Sequence, residues 1–227
     1  MNMDILFYIV IITLPLLASL NVKMTFKKYS IVENSRGLRA EDVARRILDA
    51  NGLYDTKIEH VNGNLTDHYD PTDNVVRLSD ATYGKTSVAA IGVAAHECGH
   101  VCQHAENYTP IVIRSKIVPA VSICSKFWYF AFLIGVLVFN YARSPFMIYV
   151  GIAMFSAVVL FQLVTLPTEL NASGRALKTL ETESILEADE IAPAKKVLTA
   201  AAMTYVTALV TSILQLLRML AMVNRRR

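Results

Sequence analysis

His96-Glu97-Cys98-Gly99-His100 carries the pattern H-E-x-x-H, and the run before it, Ser87-Val-Ala-Ala-Ile-Gly-Val-Ala-Ala95, holds no helix breaker except Gly92. Ala, Val and Ile dominate that run, which predicts a buried helix carrying the motif. On a helix, residues four apart differ by only about 40° around the axis. Their side chains are neighbours on one face, with Cβ atoms roughly 5–6 Å apart. His96 and His100 can therefore grip one metal ion. Glu97 lies about 100° round from His96, off the ligand position but within reach of a water at the ion. Two imidazole ligands and a carboxylate base make the zinc-hydrolase arrangement. Ordinary residue usage produces the pattern by chance in on the order of one chain in a hundred of this length. The bland alternative is a pair of helix histidines bonded to backbone or water.

The surroundings of the motif are apolar. The chain has 227 residues, 54% of them hydrophobic and only 18% charged, against about 25% charged in a soluble domain. A mean hydropathy of +0.40 points the same way, to a membrane protein. A net charge of +3, with no basic patch interleaved with aromatics, gives no support for nucleic-acid binding. Cys98, Cys102 and Cys124 form no disulfide framework and no CxxC knuckle; they read as small buried hydrophobes in a reducing setting.

Ile5 to Val22 is long enough to span a bilayer. It has no basic residue before it, and Lys23, Lys27 and Lys28 follow it, the pattern of an uncleaved anchor rather than a signal peptide. Leu38–Ala50 has helical spacing, with Val43, Ala44, Ile47 and Leu48 on one face and Asn51-Gly52 as the stop. Lys57–Val61 and Val75–Leu78 read as strands. Asp67–Asn74 between them reads as a turn. Thr86 or Ser87 is the expected N-cap of the motif helix. If the metal site is real, Val75–Leu78 is a candidate edge strand for pairing with an extended substrate. Ile117–Tyr141 and Phe146–Leu166 are two further apolar runs joined by Ala142-Arg-Ser-Pro145, an antiparallel membrane hairpin. The chain then emerges at Pro167-Thr-Glu-Leu-Asn-Ala-Ser173, and a separate polar helix is expected to run to about Ala188. Val197–Val223 is less uniform, with several Thr and Ser residues, and is expected to be a fourth span or an amphipathic surface helix.

A catalytic zinc usually has three protein ligands and one open position. The hairpin returns the chain to the compartment it left, and Glu169 stands at that point, at the expected start of a helix. Its bland reading is a helix-capping carboxylate. Glu181, Glu183 and Glu187 look like a solvated face. His104 continues the ladder of His96 and His100, but the helix rises about 6 Å over four residues and carries it away from the ion, so it is a lip of the cleft or a structural histidine. For the further donor that a tetrahedral oxyanion needs, His68, Tyr69 and His104 are candidates.

Ala40-Glu-Asp-Val-Ala-Arg-Arg-Ile-Leu48, Leu65-Thr-Asp-His-Tyr-Asp-Pro71, Val76-Arg-Leu-Ser79, Ala94-Ala-His-Glu-Cys-Gly-His100 and Glu169-Leu-Asn-Ala-Ser173 occur in this order along most of the chain. In these segments it resembles the YugP-like neutral zinc metallopeptidases of bacterial membranes. The resemblance implies a zincin-like peptidase fold of the gluzincin kind, with Glu169 as third ligand. It is similar in layout to the HtpX-type membrane proteases, which also place a membrane hairpin between H-E-x-x-H and the ligand Glu. Those enzymes carry an Asp four residues after that Glu, orienting a histidine ligand; Ser173 stands there in this chain. Asn171 stands where the YugP-like pattern has Asp.

The expected protein is mostly α, with a small α+β peptidase domain containing a short sheet, and about four transmembrane helices. Its parts are an anchor at 1–23, the zinc peptidase domain at 24–115, the hairpin at 116–167, the third-ligand helix at 168–196, and a last span with a basic tail at 197–227. One Zn²⁺ held by His96, His100 and Glu169, with Glu97 as general base and His68 as a further catalytic candidate, would hydrolyse polypeptides, membrane or misfolded proteins among them. Lys23, Lys27, Lys28, Arg114, Lys116, Arg175, Lys178, Lys195 and Lys196 fall on the site's side of the bilayer, which favours the cytoplasmic face of a bacterial plasma membrane; Arg225–Arg227 argue the other way if all four helices cross. The competing readings are an intramembrane protease of the site-2 type and a non-catalytic metal-binding scaffold.

Overall fold

The computed structural model describes residues 3–224; the basic cluster Arg225–Arg227 lies outside the described residues. In chain order the elements are α1 (Met3–Tyr29), α2 (Ala40–Ala50), β1 (Lys57–Val61), β2 (His68–Asp70), β3 (Val75–Ser79), α3 (Val88–Ala105), α4 (Thr109–Ala142), α5 (Phe146–Thr182) and α6 (Ala188–Asn224). The chain is thus mostly helical with one small sheet. Among the described residues four helices, α1, α4, α5 and α6, are long and apolar enough to cross a membrane.

The local signals around α3 act as the sequence suggests. Ser87 is the N-cap, in extended conformation, and its Oγ accepts from the Ala90 backbone N–H. α2 ends on Asn51, and Gly52 follows in the left-handed region at φ +71°, where a residue without Cβ is unstrained. The sheet has the order β1-β3-β2. β1 runs parallel to β3, with Ile58 opposite Val76, and β2 runs antiparallel, with Tyr69 opposite Val76.

Two expectations about this sheet change. Turn chemistry is confined to residues 71–74, because His68–Asp70 is drawn into pairing with β3. Arg77 Nη1 donates to Asp70 Oδ2 at 2.7 Å across that pair, and Tyr69 donates to Asn74 Oδ1 at 3.2 Å. Asn74 closes the turn with a positive φ, a conformation Asn tolerates better than most residues. The second change concerns Val75–Leu78. It is the middle strand, bonded on both sides, and has no free edge for a substrate; β2 is the edge strand that packs on α3.

The chain folds as two compact units. One comprises Ala18–Thr109 and Thr168–Thr204. Its core joins Val43, Ile47 and Leu48 of α2, Val76 and Leu78 of β3, Ile91 and Ala94 of α3, and Leu180 and Val197 of α5 and α6. The other is built from the chain up to Leu17, Pro110–Pro167, and the chain from Tyr205 onward. In it Ile148, Ile152, Phe155 and Val159 pack with Leu209, Met219 and Val223. The polar residues of α6 find local partners, which fits a helix among helices. Thr211 Oγ1 donates to the Thr207 carbonyl at 2.8 Å, and the Arg218 guanidinium lies 3.9 Å from the centroid of the Tyr8 ring.

A third correction bears on the site. Pro167 does not separate a span from a polar helix; it lies inside α5, which continues to Thr182. Pro15, Pro119 and Pro193 are likewise interior to their helices. Proline removes one donor, and a packed apolar helix tolerates that loss. Glu169 is therefore mid-helix and caps nothing.

α4 and α5 approach closely at two glycines. A Cβ on Gly135 would collide with the Ile148 backbone, and one on Gly151 would lie 2.7 Å from Phe132 N. Replacing Gly151 by Val should force the helices apart and destabilise the protein by about 1–3 kcal/mol or more. A clear drop in the thermal unfolding midpoint of detergent-purified protein checks this.

Candidate metal centre

α3 and α5 build the site from opposite sides. Nε2 of His96 lies 3.3 Å and Nε2 of His100 3.5 Å from Glu169 Oε2. Ligand atoms of the three residues lie within 4.8 Å of one another. In a tetrahedral zinc site with bonds of about 2.0–2.1 Å, ligand atoms are separated by roughly 3.3–3.4 Å. The two imidazole-to-carboxylate distances match that edge. The donor set of two nitrogens and one oxygen is also the kind catalytic zinc takes, so these residues fit a zinc ion.

Burial argues the same way. Glu169 is only 3% exposed, and an ionised carboxylate without a partner there would cost on the order of several kcal/mol. Burial pulls the His100 imidazole down, but the Glu169 carboxylate beside it, the Glu97 charge and the Gln103 hydrogen bond together raise it more, and the net shift is upward. The pocket thus calls for positive charge between the rings and the carboxylate, supplied by a proton or by a cation.

Each imidazole is held from behind. Ser173 Oγ lies 3.1 Å from His96 Nδ1, and Gln103 Oε1 lies 3.0 Å from His100 Nδ1. With its proton on Nδ1, each ring donates to that oxygen and leaves the Nε2 lone pair facing the point of convergence. Gln103 is fully buried, and its Nε2 donates to the Thr168 carbonyl at 2.8 Å and to Asn171 Oδ1 at 2.9 Å. Asn171 Oδ1 also accepts from Arg175 Nε at 2.8 Å. Arg175 in turn makes a two-pronged pair with Glu106 at 2.7 Å for each contact. The chain of bonds runs from His100 across to α5 and back to Glu106 at the C-cap of α3. Asn171 works here as an acceptor, a role Asp would fill equally, and Ser173 takes the orienting position next to His96.

The helices can come this close because Gly99 has no side chain. A Cβ there would lie 2.8 Å from the Ala172 carbonyl oxygen. Cys98 faces the other way: it is fully buried in the core, and its Sγ is 3.6 Å from the Ala44 carbonyl of α2. Burial pushes its thiol well up, so it is an inert core residue. Cys102 is also a free thiol raised by burial.

The other sequence candidates are distributed unequally. Glu97 is 7% exposed on α3, and its charge acts on His100. Tyr69 and His104 form an edge-on ring pair with centroids 5.4 Å apart, which puts Tyr69 on the face of β2 that meets α3. His68, one residue earlier on the strand, alternates away from that face; it is exposed, and its Nδ1 is 2.8 Å from the Thr66 carbonyl. The structure does not bring it into the cluster. Ser173 stands at the position that the resemblance to HtpX-type enzymes marks as orienting a histidine, whereas Gln103 was not singled out from the sequence. The signal that could have found Gln103 was spacing: it is three residues after His100, on the same helix face.

A family model described as "Putative neutral zinc metallopeptidase" matches residues 4–224. The chain belongs to this family. It is similar to a Bacillus subtilis protein named "Putative membrane protease YugP", with 49% identity over 201 residues, 88% of each chain. No solved structure matches. Family membership spans the apolar helices as well as α3, so they are part of what the zinc metallopeptidase family shares.

Gln103→Leu should lower zinc affinity about 10–100-fold, the usual effect of removing a group that orients a ligand, as measured by competition with a chromogenic chelator. Gly99→Val should abolish zinc retention by wedging α3 from α5. Zinc bound as tightly as in the unaltered protein would show that neither contact supports the site.

Proposed function

We propose that this protein is a membrane-anchored zinc endopeptidase in which His96, His100 and Glu169 hold a single ion and Glu97 is the general base. The observation that carries the reading is the convergence of two imidazoles on one buried carboxylate oxygen, at 3.3 Å and 3.5 Å, with all three ligand atoms within 4.8 Å of one another. Zinc bound there would polarise a peptide carbonyl and bring a water within reach of deprotonation near neutral pH. Glu97 takes that proton and passes it to the departing amine. Ser173 and Gln103 keep the two rings in the tautomer that leaves Nε2 unprotonated. The name of the Bacillus subtilis relative, "Putative membrane protease YugP", supports peptide bonds as the target; membrane or misfolded proteins are the proposed substrates.

Substrate enters beside the edge strand. β2 pairs only with β3 among the described strands, and its other edge offers main-chain groups to an extended polypeptide. Tyr69 and His104, on the face that meets α3, are better placed than His68 to supply a donor to the oxyanion. The peptidase part comprises residues 24–115 with the 168–196 segment; the 116–167 hairpin delivers Glu169 to the side of the bilayer on which the two histidines lie. The lysines that follow the first apolar run support a cytoplasmic site in a bacterial plasma membrane.

Two variants separate binding from chemistry. Glu97→Gln should retain zinc and lose turnover of an unfolded protein substrate by about 10²–10⁴-fold. Glu169→Ala should lose zinc itself, read as metal content of the purified protein. Turnover that survives Glu97→Gln would remove the general base, and undiminished zinc in Glu169→Ala would remove the third ligand.

A further inference from the structure

A second site lies away from the metal centre, in a cavity of about 550 Å³ between the C-terminal part of α1 and the N-terminal part of α6. From α1 it is lined by Asn21, Thr25, Lys28 and Tyr29, and from α6 by Lys195, Lys196, Thr199 and Met203 among others. The spacings are helical on both sides: 21, 25, 28 and 195, 199, 203 each fall on one face.

The charge along this groove is uneven. Lys28, Lys195 and Lys196 are all exposed and all at one end. The Nζ atoms of Lys28 and Lys196 lie 5.5 Å and 5.9 Å from the centroid of the same ring, Tyr29. Among the described residues no acidic side chain lines the cavity, so its three lysines stand without a carboxylate in its wall. From there the groove follows the helices for roughly 10–12 Å at 1.5 Å per residue, past the hydroxyls of Thr25 and Thr199, to Asn21 and Met203. Beyond that end α1 leads back into its apolar stretch and α6 forward into its own. The lysines thus sit at one end, and the other end, at Asn21 and Met203, is continuous with the apolar stretches of both helices.

We propose that this groove binds an anionic phospholipid. The phosphate is taken by Lys28, Lys195 and Lys196, the glycerol region lies along the two threonines, and an acyl chain follows Met203 toward the span. A volume of about 550 Å³ is that of a ligand site, and basic pockets between spanning helices are suited to anionic head groups. A free phosphate ion shares the head-group chemistry but leaves the Met203 end unfilled.

The test uses the full-length protein in neutral detergent, with binding of phosphatidylglycerol, phosphatidylcholine and inorganic phosphate each titrated. Phosphatidylglycerol should bind in clear preference to the other two. At about fivefold per lysine, the double variant Lys28→Gln/Lys196→Gln should lose roughly 25-fold in phosphatidylglycerol affinity. Lys23→Gln/Lys27→Gln makes the same charge change outside the groove and should lose less than about threefold. Thermal unfolding of both variants should match the unaltered protein, since these side chains are exposed. Equal binding of the two lipids, equal losses in the two double variants, or inorganic phosphate binding as tightly as phosphatidylglycerol would each overturn the assignment.

Discussion

The buried carboxylate of Glu169 sets the terms for the structure around it. At 3% exposure it can stay ionised only if positive charge and hydrogen-bond donors surround it. A proton or a cation between the carboxylate and the two imidazole nitrogens, at 3.3 Å and 3.5 Å, supplies that setting. The requirement is mutual. Neither ring can turn away without leaving the carboxylate stranded, and α5 cannot slide along α3 without separating oxygen from nitrogen. A metal ion fits the same three atoms with no rearrangement of donor type.

Close helix contact meets that requirement. Gly99 lets the Ala172 backbone approach α3, and the approach brings Gln103 under the carbonyl of Thr168. Gln103 then uses all its capacity at once: its oxygen on His100, its two hydrogens on α5. A fully satisfied buried amide rigidifies its surroundings, whereas a half-satisfied one would be costly. The outer pair of Arg175 and Glu106 is more exposed, so it contributes less energy than orientation. Its guanidinium holds Asn171 in the rotamer that receives Gln103.

Membrane chemistry and site chemistry meet in α5. Its first part is apolar; its later part carries Glu169, Asn171 and Ser173 on the helix that continues past Pro167. Continuity matters for precision. A ligand on a helix is held in place by that helix's own hydrogen bonding and packing, while a ligand on a loop would have to be ordered separately. α1 and α6 show the same economy on another surface, where lysines mark the place at which two apolar helices become polar.

Much was legible in the chain itself. H-E-x-x-H on an apolar helical run determined two imidazoles on one face, because helical periodicity is local. Apolar length determined the spanning helices, since the thickness of a bilayer is an external ruler. The cap at Ser87, the stop at Asn51-Gly52 and the strands at Lys57–Val61 and Val75–Ser79 followed from local turn and strand chemistry. Tertiary structure alone decided the rest. Val75–Ser79 became the central strand because His68–Asp70 pairs with it across a short turn on one side and Lys57–Val61, farther back in the chain, pairs with it on the other, and composition does not encode that second contact. Pro167 stayed helical because packing outweighed one missing hydrogen bond. Ser173 and Gln103 became supports for the two rings because α3 and α5 meet at Gly99. Sequence spacing says which side chains share a face, and only the packing of one face on another says which atom each will touch.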